Sequence, residues 1–122
     1  MLSLGLILEW IEIVGTNSSI KLEALIDTGA EGNYIRGNAG MKEKIESLGF
    51  YSFNETDVSM PRIREPKTYI EYKFLELRFL GQIITFPDFI VMDDIDYDAI
   101  IGVEVMQTLG LNIDMSSDKI SI

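Results

Sequence analysis

The sequence predicts an all-β domain closed into a barrel or sandwich, with one or two short helices. Three observations predict it. Strand-length segments rich in Leu, Ile and Val recur along the chain, glycine-rich or proline-containing pieces punctuate them, and only two stretches place apolar residues at helical spacing. At 122 residues and 47% hydrophobic content, residues 1–122 read as a single domain with a core of its own.

The elements follow in order. Leu4 to Val14 is an apolar strand, Gly15-Thr16-Asn17-Ser18-Ser19 supplies turn chemistry, and Ile20 to Ile26 returns, so a hairpin is expected to end at Asp27. Gly29, Gly32, Gly37 and Gly40 mark a loop of unusual torsions or close backbone approach, with a brief strand at Tyr34-Ile35 inside it. Met41 to Leu48 puts Met41, Ile45 and Leu48 on one helical face, and Gly49 stands where a C-terminal cap belongs. Asn54 to Pro66 is polar and contains Pro61 and Pro66, so it reads as an excursion from the core and not as a regular element. Thr68 to Leu80 alternates, Gly81-Gln82 reads as a tight turn, and Ile83 to Met92 is the partner strand. After the acidic run Asp93, Asp94, Asp96 and Asp98 comes Ala99-Ile100-Ile101-Gly102. Val103 to Leu109 then has Val105, Met106 and Leu109 at helical spacing and Gly110 at its end. Leu111 to Asp114 and Lys119 to Ile122 are expected to close the chain as a last hairpin.

Charge and composition narrow the chemistry. Ten basic against twenty acidic residues give a formal charge of −10, a field that repels phosphate backbones, so nucleic acid is not an expected partner. Met1 to Val14 lacks a leading Lys or Arg and is interrupted by Glu9 and Glu12, fitting neither a signal peptide nor a membrane span. No membrane partner is expected, and a cytoplasmic location is the default that remains. The chain has no Cys and no His. Without them a Ser-His-Asp triad, a Cys-His pair or an ordinary zinc site cannot be built, which leaves carboxylates as the acid–base machinery. The run Asp94, Asp96, Asp98 does not continue as a calcium loop, because Ala99 stands where glycine is needed and Val105 where glutamate is needed. No metal and no organic cofactor are expected.

Asp27 ends a buried apolar strand, where an unsatisfied charge is costly, so Leu25-Ile26-Asp27 requires backbone donors at once. Gly29 lets an amide approach the carboxylate, the Thr28 hydroxyl can donate and accept inside a tight turn, and small Ala30 leaves room for a substrate chain. Asp-Thr-Gly by itself is common as an ordinary turn. Here Asp27-Thr28-Gly29-Ala30 follows apolar residues, and Ile100-Ile101-Gly102 precedes an apolar helix. In order and separation the two resemble the paired signatures of retropepsin-like aspartic proteases. The resemblance spans nearly the whole chain, with the excursion from Asn54 to Pro66 at the expected place of the flap.

The resemblance implies an acid-protease-type barrel in which this chain is the half-site subunit of a twofold homodimer. Two copies of Asp27 would share a proton, hold a water molecule and hydrolyse peptide bonds in an extended substrate. It also implies that Thr28 bonds across the dimer axis, that Gly29 and Ala30 face the substrate, that Glu31 lies near the substrate main chain and that Tyr34 lines a side-chain pocket. Glu31 reads equally as a solvated turn carboxylate and Tyr34 equally as a core residue. Viral members often carry Arg where Val103 stands, so a salt bridge from Glu31 to that position is not expected, and cellular and retrotransposon members are closer. The rival reading keeps the fold as a non-catalytic dimerisation or peptide-binding module. An intact Asp-Thr-Gly argues for the enzyme, since a scaffold gains nothing from two repelling carboxylates.

Overall fold

The computed structural model describes residues 6–58, 67–110, 112–114 and 119–121. Strands β1 (Ile7–Val14) and β2 (Ser19–Ile26) form the expected hairpin, with Ile7 opposite Ile26 and Val14 opposite Ser19. Its turn folds onto the end of helix α1 (Ala39–Leu48), where the Asn17 and Ser18 amides donate to the Leu48 carbonyl. Met41, Ile45 and Leu48 are buried, as their spacing predicts, and Gly49 closes the helix at φ 74°. The helix starts two residues earlier than Met41 because Asn38 caps it, its side chain accepting from the Met41 amide at 3.0 Å.

Two expectations about the middle of the chain are corrected. Asn54 to Val58 is not an excursion but part of strand β4 (Ser52–Val58), paired in antiparallel register with β5 (Lys67–Lys73) from Ser52–Lys73 to Val58–Lys67. Its polar composition suits an edge strand, whose charges discourage pairing with other chains. The rest of the predicted excursion, 59–66, lies outside the described residues. The long hairpin from Thr68 to Met92 is also divided in two. Strand β5 is followed after Phe74-Leu75 by β6 (Glu76–Phe79), and β7 (Gln82–Thr85) is followed after Phe86-Pro87 by β8 (Asp88–Met92). Pro87 has no amide to donate, and Phe86 takes φ 52°, so the ladder breaks there. The turn is Leu80-Gly81, one residue earlier than expected, with positive φ at both residues and Phe79 opposite Gln82.

The described strands are mostly in one mixed sheet of order β4-β5-β8-β3-β9-β2-β1-β6-β7, where β3 is Tyr34–Arg36 and β9 is Ala99–Ile101. In a flat sheet β5 and β6, six positions apart, would be separated by about 29 Å. The chain step from Lys73 to Glu76 spans at most about 10 Å, so the sheet must curl strongly. The Leu75 amide, donating to the Val14 carbonyl at 2.9 Å, marks where the hairpin crosses to β1. Phe74, Leu77, Phe79 and Phe89 fill the enclosed space with Ile11, Ile13, Ile35 and Ile101. The sheet is nevertheless not closed, which corrects the expected barrel: β4 and β7 remain as its two edges. Their residues are exposed or half-buried throughout. Helix α2 (Val103–Leu109) follows β9 and ends at Gly110 in the left-handed conformation. Strands β10 (Asn112–Asp114) and β11 (Lys119–Ser121) form the expected last hairpin and pair with each other in a separate small sheet.

Candidate active site

The site is positioned by parallel pairing between β2 and β9, in which Ala24, Leu25 and Ile26 stand opposite Ala99, Ile100 and Ile101. Two parallel strands run out at the same end of a sheet, so the chains leaving them start side by side. One exit is Asp27-Thr28-Gly29 and the other is Gly102 leading into α2. The Asp27 amide donates to the Ile101 carbonyl at 3.0 Å, extending the pairing by one bond. That is the structural use of the apolar Ile100-Ile101-Gly102 segment.

Asp27 is half-buried while Thr28 and Gly29 are exposed. The Gly29 amide donates to Asp27 Oδ1 at 2.8 Å, and the Ala30 amide donates to the Asp27 carbonyl at 3.2 Å. The first bond fixes one carboxylate oxygen and supplies the donor that the buried strand end requires. A Cβ on Gly29 would stand 3.2 Å from that same oxygen, so a side chain there would press directly on the acid. Among the described residues the Thr28 hydroxyl makes no hydrogen bond.

The loop then turns back to serve α2. The Ala30 and Glu31 carbonyls accept from the Val103 and Glu104 amides at 2.7 and 3.2 Å, satisfying donors of the first helical turn. Asn33 is the polar residue that sequence reasoning missed. It is the one buried polar side chain among the described residues, 8% exposed. Its Oδ1 accepts from the Gly102 amide at 3.2 Å, its Nδ2 donates to the Asp88 carbonyl at 3.2 Å, and its own carbonyl accepts from Ile90 at 2.9 Å. Asn33 therefore ties the loop after Asp27 to β8 and to the start of α2. An asparagine amid glycines looks like turn chemistry; the available hint was its place immediately before the apolar pair Tyr34-Ile35.

Loop and hairpin face each other across a cleft of about 580 Å³. Among the described residues it is lined by Gly29, Ala30, Glu31, Gly32 and Tyr34, by Thr56, Asp57 and Val58 of β4, and by Glu71, Ile90 and Glu104. Thus Gly29, Ala30, Glu31 and Tyr34 come together at one cleft, with Asp27 bonded to the first of them. Tyr34 is half-buried, not core. Its phenol is held above its ordinary range by burial first and then by the charges of Glu31, Asp27 and Glu104.

Glu71 is held above the ordinary carboxyl range as well, by burial first and then by Asp88 and Glu104, while Lys73 acts in the opposite direction. Lys73 is drawn to Asp88 instead, at 2.9 Å. A carboxyl whose pKa rises on folding contributes its full stability below the unfolded value and loses it as pH climbs through the folded value. The charged form of Glu71 therefore destabilises the fold at neutral pH. Glu71→Gln is expected to raise the melting temperature at pH 7 by on the order of 1–3 °C after solvent screening, with the gain vanishing near pH 4. Melting curves at both pH values check this, and a lower melting temperature at pH 7 would refute it.

No protein-family model matches the chain, and no curated protein matches it. The functional reading stands on these residues and their geometry. No helix among the described residues is long and apolar enough to cross a membrane.

Proposed function

We propose that the chain is one subunit of a homodimeric aspartic endopeptidase of the retropepsin-like type. The observation that carries the proposal is Asp27 itself: a half-buried carboxylate held by the Gly29 amide at 2.8 Å, beside a cleft walled by a β-hairpin. One Asp-Thr-Gly provides one carboxylate, and the chemistry needs two. A twofold-related copy supplies the second, and the exposed Thr28, whose hydroxyl has no partner among the described residues, is available to bond across the axis.

In the paired site one carboxylate is charged and the other protonated, because like charges so close do not ionise together. Water between them attacks the peptide carbonyl carbon while the charged carboxylate takes its proton and the protonated one gives its proton to the carbonyl oxygen. The gem-diol then collapses: the C–N bond breaks, the amine leaves with a proton, and the pair returns to its singly protonated state. Gly29 holds one oxygen of each acid in place throughout. The substrate lies as an extended strand between the loop and the hairpin.

Purified protein incubated with an unfolded protein substrate from acidic to neutral pH should cleave it, with a rate that falls on both sides of an optimum and is blocked by a statine-type mimic. Specific activity should decline on dilution in step with the dimer fraction measured by sedimentation. Full activity in a sample sedimenting only as monomer would contradict the shared site. Specific peptide binding without cleavage would favour the non-catalytic module.

A further inference from the structure

We propose that this cleft selects extended peptides bearing a lysine or arginine side chain, whose cationic end is taken up by Glu31, Glu71 and Glu104. Its catalytic consequence rests on the peptidase reading of Asp27; the binding preference does not. The site is defined by the loop and hairpin that enclose it, and the charge of its walls decides what enters. Among the described residues that line it, Glu31, Glu71 and Glu104 present carboxylates, and none is Lys or Arg. They come from three elements: the loop after Asp27, β5 and α2.

Of the described cations of β5, Lys73 is paired with Asp88 at 2.9 Å and Lys67 stands at the other end of the strand, opposite Val58. Asp57, although its segment borders the cleft, turns its carboxylate to the other face of β4, where it accepts from the Thr68 hydroxyl at 2.8 Å. The side chains of Glu31, Glu71 and Glu104 accept no hydrogen bond among the described residues. Glu104 acts on both Tyr34 and Glu71, so its negative charge is felt from the loop side of the cleft to the hairpin side.

A bound cation relieves that repulsion, whereas a neutral or acidic side chain leaves or increases it. Among the described residues no three carboxylates converge closely enough to hold a metal ion, so the field suits a cation on a long arm. Ala30, Val58, Ile90 and the Tyr34 ring supply apolar wall for the methylene stem of Lys or Arg, and the volume is that of an ordinary ligand cleft.

The test measures binding of fluorescent eight-residue peptides to the full chain carrying Asp27→Asn, which keeps them intact. The peptides differ at one position only, holding arginine, norleucine or glutamate, and that position is moved along the peptide. At one position arginine should bind about tenfold tighter than norleucine in low salt, and the preference should shrink several-fold in 0.5 M salt. Adding E71Q/E104Q should bring the ratio to within about twofold of unity. Arginine and norleucine binding alike at every position overturns the proposal. So does a preference that survives E71Q/E104Q unchanged. Cleavage by the wild type separates the two claims. Asp27-dependent cleavage without arginine preference sinks the charge selection alone. Arginine-selective binding with no cleavage of any peptide sinks the peptidase reading alone.

Discussion

Replacing Asp27 with asparagine is expected to lower peptide hydrolysis by about a thousandfold or more, while the melting temperature stays within a few degrees of the wild type. The loss follows from the loss of both acid–base partners at once: in the proposed homodimer every site would hold two amides, neither able to accept a proton from water or give one to the carbonyl oxygen. The fold should survive because an asparagine Oδ1 still accepts from the Gly29 amide, now 2.8 Å from the carboxylate, and because the pairing of Asp27 with Ile101 is made by backbone. Mixing sharpens the result. Equal amounts of wild type and variant, allowed to exchange subunits, should retain about a quarter of the activity of an all-wild-type sample of the same total concentration, since only dimers with two carboxylates work. Retention of about a half would mean that each subunit acts alone. Equal cleavage by wild type and variant would remove Asp27 from the chemistry altogether.

The hairpin leading to Asp27, the helix at Met41 to Leu48 and the Ile100-Ile101-Gly102 junction were legible because each is written in local pattern: apolar runs, turn residues, helical spacing. What could not be read was non-local. The excursion at Asn54 conceals a strand because an edge strand exposed along most of its length shows no apolar alternation. The break at Phe74-Leu75 depends on where Val14 lies, and a hairpin that crosses from one wing of a curled sheet to the other looks continuous in sequence. The open edges at β4 and β7 likewise follow from how nine strands are ordered, which pattern alone does not settle. Gly29, Ala30, Glu31 and Tyr34, nominated from the resemblance, line one cleft, whereas Asn33 was missed because its partners, Gly102 and Asp88, are distant in sequence. The acidic lining was hidden for the same reason: Glu71 and Glu104 look like ordinary surface charges until β5 and α2 bring them to the cleft.

Gly102 is the position where one added methyl group is expected to do the most structural damage. Its φ of −92° and ψ of −178° are open to any residue, so space and not torsion makes it glycine. A Cβ there would overlap the Gly32 carbonyl oxygen and lie 2.7 Å from those of both Ala30 and Glu31. All three are backbone atoms and cannot rotate away. Two of them accept the first-turn amides of α2, and the Gly102 amide itself is held by Asn33 at 3.2 Å. Relief by moving the loop thus breaks helix caps, and relief by moving α2 breaks the bond to Asn33, so each escape leaves polar groups unpaired. Gly102→Ala is expected to destabilise the protein by about 3 kcal/mol, lowering the melting temperature by roughly 10 °C. Gly32→Ala is the contrast: nothing lies within 4 Å of its added Cβ, and its melting temperature should move by only a few degrees. Because the displaced loop carries Gly29, any Gly102→Ala protein that remains folded should also hydrolyse peptide well below the wild-type rate when assayed far under its melting point. A Gly102→Ala variant that melts with the wild type would show that the loop after Asp27 yields freely, and with it would go the view that packing against α2 holds the proposed catalytic carboxylate in place.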